Sequence, residues 1–254
     1  MTAPVRVEIA RPGVALLTLD RPERRNALSI ALLAGIVGEL ERLAAGREAR
    51  VVILRGAGPV FCSGLDLAEA AEESLAGESA RLVAATLAAF TRSPLVSIAA
   101  VQGGAYAGGA GLVAACDLAV GSSDLRIGFP EARRGLLPAL VCDVLRAKVR
   151  AGDLAELFLV GEAVDAARAR EIGLVQRVVP PERLLDEALA MAEGVLAGGP
   201  RTIERTKALL RSAYAPAPGE DRDSLAGHLE ARLGEEAIEG MRAFREKRKP
   251  AWGA

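Results

Sequence analysis

The stretch "GGAYAGGAGLVAACDLAV", residues 103–120, packs five glycines into nine positions and then runs into small apolar residues. Backbone that bare permits close approach by another segment or by a ligand. It follows "PLVSIAAV" (94–101), a continuous apolar run that reads as a strand buried on both faces. Three readings of the glycines are open. Residues 109–114, "GAGLVA", fit the G-x-G-x-x-A dinucleotide pattern. That pattern needs an acid about 20 positions on, and Asp117 comes too soon. The second reading is tight strand–helix packing, for which glycine and alanine suffice. The third is chemical. A strand ending in glycines before a helix that starts near Gly108 or Gly109 aims free N–H groups outward at the positive end of a helix dipole. Such donors stabilise negative charge developing on a carbonyl oxygen. A second donor would come from "FCSGLDL" (61–67), a glycine-containing turn behind another apolar strand at 51–55.

Outward from there, "VRVEIA" and "VALLTLD" read as two short strands around a Pro-Gly turn. Two early strands with no helix between them argue against a simple alternating sheet. "RPERRNALS" (21–29) is a polar loop whose Ser29 can cap a helix over 30–46. "ESARLVAATLAAFTRS" (78–93) is an amphipathic helix closed by Pro94. Short strands are expected in 117–123 and 125–129, a helical pattern from 138 to 173, and a last strand in "GLVQRVV". Helices follow over 181–199 and from Pro200, then the break "APAPG" and two polar helical stretches. The expected fold class is α/β, with a mixed core over 1–195 and an all-helical region over 196–254.

Composition narrows the function. Of 254 residues 51% are apolar and 26% charged, with net charge −1, which gives no broad attraction to nucleic acid or membrane. Aromatics at 3% are too sparse for a base-stacking platform. Cys62, Cys116 and Cys142 show no C-x-x-C spacing, and His228 is the one histidine, so no metal site is expected. His228 sits in an amphipathic helical pattern and reads as a packing or surface residue. No signal sequence or spanning segment is visible, and a cytoplasmic location is expected.

"RPERRNALS", "VVILRGAGPVFCSGLDL", "AAVQGGAYAGGAGLVAACDLAV", "GFPEARRGLLP", "VGEAVDAARAREIGLVQRVVP" and "AFREKRKPAWG" occur in this order over nearly the whole chain. The set resembles the crotonase, or enoyl-CoA hydratase/isomerase, superfamily. The resemblance implies a spiral of short ββα turns, a C-terminal helical region that trimerises and covers the ligand, and a homotrimer or homohexamer. It implies an acyl-CoA thioester as substrate, with CoA as part of the substrate and no separate cofactor. It places the oxyanion hole on the backbone N–H groups of Leu65 and Gly108. It places Arg24, Ala27, Ser63, Asp66 and Leu67 along the CoA path, and Phe244 and Lys247 on a tail that meets CoA from a neighbouring subunit.

Hydratases of that family use two glutamates. The second matches Glu131, and the first falls on Gly111. Glu131, enclosed by Phe129, Leu136 and Leu137, would have a raised pKa suited to acid–base work. Its alternative role is a surface carboxylate paired with Arg133 or Arg134. Glu69, Glu72, Glu73 and Asp143 are candidates to replace the missing carboxylate. The expected activity is an enoyl-CoA hydratase-like lyase. A Δ3,Δ2-enoyl-CoA isomerase needs only one carboxylate and is the alternative; a non-catalytic acyl-CoA-binding homologue is the third.

Overall fold

The computed structural model describes residues 3–213 and 224–253. β1 (Val5–Arg11) and β2 (Gly13–Leu19) form an antiparallel hairpin, as the Pro-Gly turn requires. β3 (Ala49–Gly56), β4 (Val96–Val101), β6 (Leu118–Ser122) and β9 (Arg177–Val179) then add in parallel, giving the order β1-β2-β3-β4-β6-β9. β5 (Gly104–Tyr106), β7 (Arg126–Gly128) and β8 (Val164–Asp165) make a second, smaller sheet.

The apolar run of β3 is buried on both faces because it separates two cores. Val52 and Leu54 pack with Leu32, Ile36 and Leu40 of α1 (Ile30–Gly46) and with Val83 and Leu87 of α3 (Ala76–Arg92). Val51 and Ile53 pack on the other side with Ala188, Leu189 and Ala192 of α8 (Leu184–Leu196). Each such valine, leucine or isoleucine side chain contributes roughly 1.5–3 kcal/mol by leaving water. Ser29 caps α1 as its position suggested, its Oγ accepting from Leu32 N–H at 3.2 Å.

The stretch 138–173 is not continuously helical. α5 (Ala139–Leu145), α6 (Ala151–Ala155) and a π turn over Glu156–Val160 end at Gly161, whose φ of +65° reverses the chain. Val164 and Asp165 then extend to pair with β7 before α7 (Ala166–Glu171) begins. Residue-level periodicity misses this because the two extended residues are held by another strand.

α9 (Pro200–Ala213) is pinned to the core by Lys207, whose Nζ donates to Phe90 O, Leu95 O and, at 2.7 Å, Asp117 Oδ2. The same Asp117 oxygen accepts from Ser97 N–H and Oγ. Asp117 is therefore an anchor, which disposes of any role in a dinucleotide site. The "APAPG" break lies outside the described residues. α10 (Ser224–Leu233) packs on α3 and α5. α11 (Glu235–Arg245) packs on the turn over 132–134. A Cβ on Gly240 would come within 2.2 Å of Arg134 O, so this close docking needs glycine. No helix among the described residues is long and apolar enough to cross a membrane.

Candidate active site

Two turns that follow parallel strands are held against each other. Cys62 N–H donates to Gly104 O, Tyr106 N–H donates to Cys62 O, and the pair Cys62 and Ala105 forms a parallel bridge. On the other side Leu28 N–H donates to Gly64 O and Asp66 N–H to Leu28 O. Asn26, fully buried, braces the first turn: its amide nitrogen donates to Ala57 O, Val60 O and Phe61 O while its Oδ1 accepts from Arg21 N–H.

The glycines of the opening stretch now divide by task. A Cβ at Gly109 would sit 2.6 Å from Cys62 O and 2.7 Å from Cys62 Sγ, so this glycine lets the two turns touch. α4 (Gly108–Ala115) starts immediately after Ala107, which holds φ +50°, ψ −123°. That conformation is strained for alanine, at a cost of about 1–3 kcal/mol. It turns the chain sharply into the helix. The sequence carries no sign of it, since alanine is not the residue expected at positive φ. Among the described residues neither Leu65 N–H nor Gly108 N–H donates to a protein acceptor. Both residues line one cavity of about 340 Å³, together with Glu131.

Glu131 is only 8% exposed, and its Oε2 has no hydrogen-bond partner. Burial pushes its pKa up to about 7, against the opposing pull of its own backbone N–H and of the Arg134 charge. It is not a surface ion-pair carboxylate. Arg133 pairs with Glu162 at 2.8 Å, and Arg134 lies 4.2 Å over the Phe244 ring. Leu136 and Leu137 line the cavity with it as expected, whereas Phe129 packs edge-on against Phe158 in the core.

Gly111 is buried on α4, and the space beyond it is taken. An added Cβ would meet Val141 Cγ1 at 2.6 Å and Leu87 Cδ2 at 3.6 Å. Val141 is itself a cavity wall. Of the candidate substitutes whose side chains are described, none lines that cavity. Glu69 Oε2 accepts from Ile30 N–H at the start of α1, and Glu72 is exposed. The side chain of Glu73 lies outside the described residues. Asp143 lines a different cavity, of about 700 Å³, with Asp117 and Lys207. Glu131 is thus the one carboxylate lining the smaller cavity among the described residues.

Of the other positions, Leu67 lines the cavity. Ser63 N–H donates to Arg25 O. Asp66 pairs with Arg21 at 2.9 Å and caps the short helix α2 (Leu67–Ala70) through Ala68 N–H. Arg21, not singled out by the sequence, also donates to Ala27 O at 2.7 Å and so ties two of the expected residues together. Arg24 and Lys247 are exposed, and neither they nor Ala27 nor Phe244 line the cavity. The C-terminal helices contribute to its wall within the same chain. His228, Arg232, Ile238, Met241 and Arg245 all line it. Burial pushes the His228 imidazole down from its ordinary value, so it is neutral at pH 7. Sequence periodicity places these residues on helices but does not say which face meets the core.

The family model described as enoyl-CoA hydratase/isomerase matches residues 10–254. The crystal structure of an enoyl-CoA hydratase from Mycobacterium avium is 37% identical with a TM-score of 0.87, covering 99% of this chain and 100% of that one. The mevalonyl-coenzyme A hydratase sidH of Aspergillus fumigatus is 36% identical over 97% of this chain and 93% of its own. A monofunctional enoyl CoA isomerase from M. smegmatis is 33% identical with a TM-score of 0.73, over 90% of this chain and 99% of that one. Likeness of that extent, in sequence and backbone together, settles the kinship: the chain belongs to the enoyl-CoA hydratase/isomerase family and has the crotonase fold.

Proposed function

We propose that the protein hydrates an enoyl-CoA thioester, or runs the reverse dehydration, with Glu131 as its single acid–base group. The observation that carries this is one buried carboxylate, with one oxygen unpartnered and a pKa near 7, in the same cavity as two free backbone N–H groups. The thioester oxygen takes bonds from Leu65 and Gly108 N–H. Ionised Glu131 removes a proton from water as the water oxygen bonds to the β-carbon. The double-bond electrons move to the α-carbon and the thioester oxygen, and the two N–H groups hold the resulting enolate. Protonated Glu131 then returns its proton to the α-carbon, so one group serves as base and acid in turn. The path from Ser63 through Asp66 and Leu67, with Arg24, Ala27, Phe244 and Lys247, is assigned to CoA.

Double-bond migration is the second reading, favoured by Val141 filling the room beyond Gly111. There Glu131 takes a proton at one carbon and restores it at another, and no water is needed. Incubation with crotonyl-CoA and, separately, with a 3-enoyl-CoA decides between them. A gain of 18 mass units, roughly one water, with loss of enoyl absorbance is the expected result. A 2-enoyl product from the 3-enoyl substrate, without hydration, would replace the first reading by the second. Binding without turnover would leave an acyl-CoA-binding homologue.

The same reading assigns 1–195 to binding and chemistry and 196–254 to assembly and cover. A trimer or dimer of trimers is expected, and a monomeric native mass at micromolar concentration counts against it.

A further inference from the structure

Two buried side-chain atoms among the described residues have no hydrogen-bond partner: Glu131 Oε2 and Arg232 Nη1. Both side chains line the same cavity. The proposed reaction uses the first and leaves the second without a task. A buried guanidinium N–H with no acceptor is costly, and an unpaired group of this kind calls for an explanation. An acceptor that arrives with the ligand is one.

The surroundings say what kind of acceptor. Arg232 lies four residues after His228 on α10, so the two project from one helix face. Its Nη2 is 3.5 Å from Ala70 O, at the end of α2, the helix that begins just after Leu65. The guanidinium thus sits at the C-terminal end of this one-turn helix, and the turn that presents the Leu65 N–H lies at the other end. Three arginines line the cavity against one carboxylate. Arg134 is stacked on Phe244 and Arg245 is exposed, while His228 is neutral. Arg232 is the cation with a buried, unanswered donor. Other walls of the cavity, among them Val83, Leu140 and Val141, are apolar.

We propose that the cavity takes acyl-CoA thioesters whose short acyl chain ends in a carboxylate, and that Arg232 receives that carboxylate. This rests on the acyl-CoA reading and adds the substrate class to it. A guanidinium offers paired N–H donors that match a carboxylate, and such charge-assisted bonds are the stronger kind. A neutral acyl end of the same length would leave Nη1 unsatisfied, which is how a polar pocket discriminates.

The test compares saturated ligands of equal length that differ in the terminal carboxylate: adipyl-CoA against hexanoyl-CoA, and glutaryl-CoA against pentanoyl-CoA. Binding to the full chain is measured by calorimetry, which does not depend on turnover. At least one carboxylated ligand should bind about tenfold or more tighter than its neutral partner. Arg232→Met should bring that ratio to about one or below, and Arg232→Lys should keep part of it. Thermal melts report whether each variant is folded; if Arg232→Met is not, the wild-type ratio and the lysine variant decide the matter. No preference in either pair, or a preference unchanged in Arg232→Met, overturns the proposal while leaving the acyl-CoA reading standing. If no acyl-CoA binds at all, the acyl-CoA reading falls and this one with it.

Discussion

Glu131→Gln lowers kcat by a factor on the order of 10²–10⁴, because the amide keeps the shape of the side chain and can neither take nor return a proton. Affinity for a saturated acyl-CoA should change little, since the proposed role of the carboxylate is at the reacting atoms rather than at CoA. In the native enzyme kcat/KM falls about tenfold per pH unit below about 7, where burial sets the Glu131 pKa and the base is lost to protonation. The same group makes an opposite prediction for stability. Its folded-state pKa lies above its unfolded value, so the cost of burying the charge is absent below the unfolded pKa. It grows as pH rises and is complete above about 7. Glutamine removes that cost. The variant should therefore melt several degrees higher than the native protein at pH 8, by up to about 3 kcal/mol, and show no such gain at pH 4.5. Calorimetric melts at the two pH values, beside steady-state rates, check both halves. A variant as active as the native protein would remove Glu131 from the mechanism.

Restoring the missing carboxylate takes two substitutions. Residue identity alone suggests that Gly111→Glu raises hydration if the vacant glutamate position is all that holds it back, with crowding by neighbouring side chains as the risk. The first added atom instead meets Val141 Cγ1 at 2.6 Å. Overpacking of this kind costs about 1–3 kcal/mol, and an unpartnered buried carboxylate adds to it or takes up a proton. The single variant should therefore melt well below the native protein with no gain in activity. Gly111→Glu combined with Val141→Gly vacates the blocking side chain, itself a wall of the cavity that holds Glu131, and so opens a path for a second carboxylate toward that cavity. Two such groups drive one pKa upward, which supplies an acid beside a base. The double variant should recover stability relative to the single one and hydrate crotonyl-CoA at least about tenfold faster than Val141→Gly alone. Equal rates for those two would mean that a second carboxylate is not what limits hydration.

Much of this is legible from residues alone. Strands such as β3 announce themselves because a segment between two cores must be apolar on both faces through its centre, here Val51 to Leu54, and the hairpin of β1 and β2 follows from its turn chemistry. The glycine-rich segment, its resemblance to a known family and the absence of a glutamate at residue 111 are also readable, since each is a matter of residue identity. Tertiary structure decided the rest. Val141 closes the space beyond Gly111 although 30 residues separate them in the chain. Glu131 is buried without a salt-bridge partner because Arg133 turns to Glu162 and Arg134 to Phe244. Arg232 reaches the cavity because α11 docks through Gly240 on the turn beside Glu131, and α10 is carried with it onto α3 and α5. Local sequence fixes what each segment can be, through backbone preference and the period of its apolar residues. Which charges lose water, and which side chain occupies a neighbour's space, depends on contacts between distant segments that no local pattern encodes.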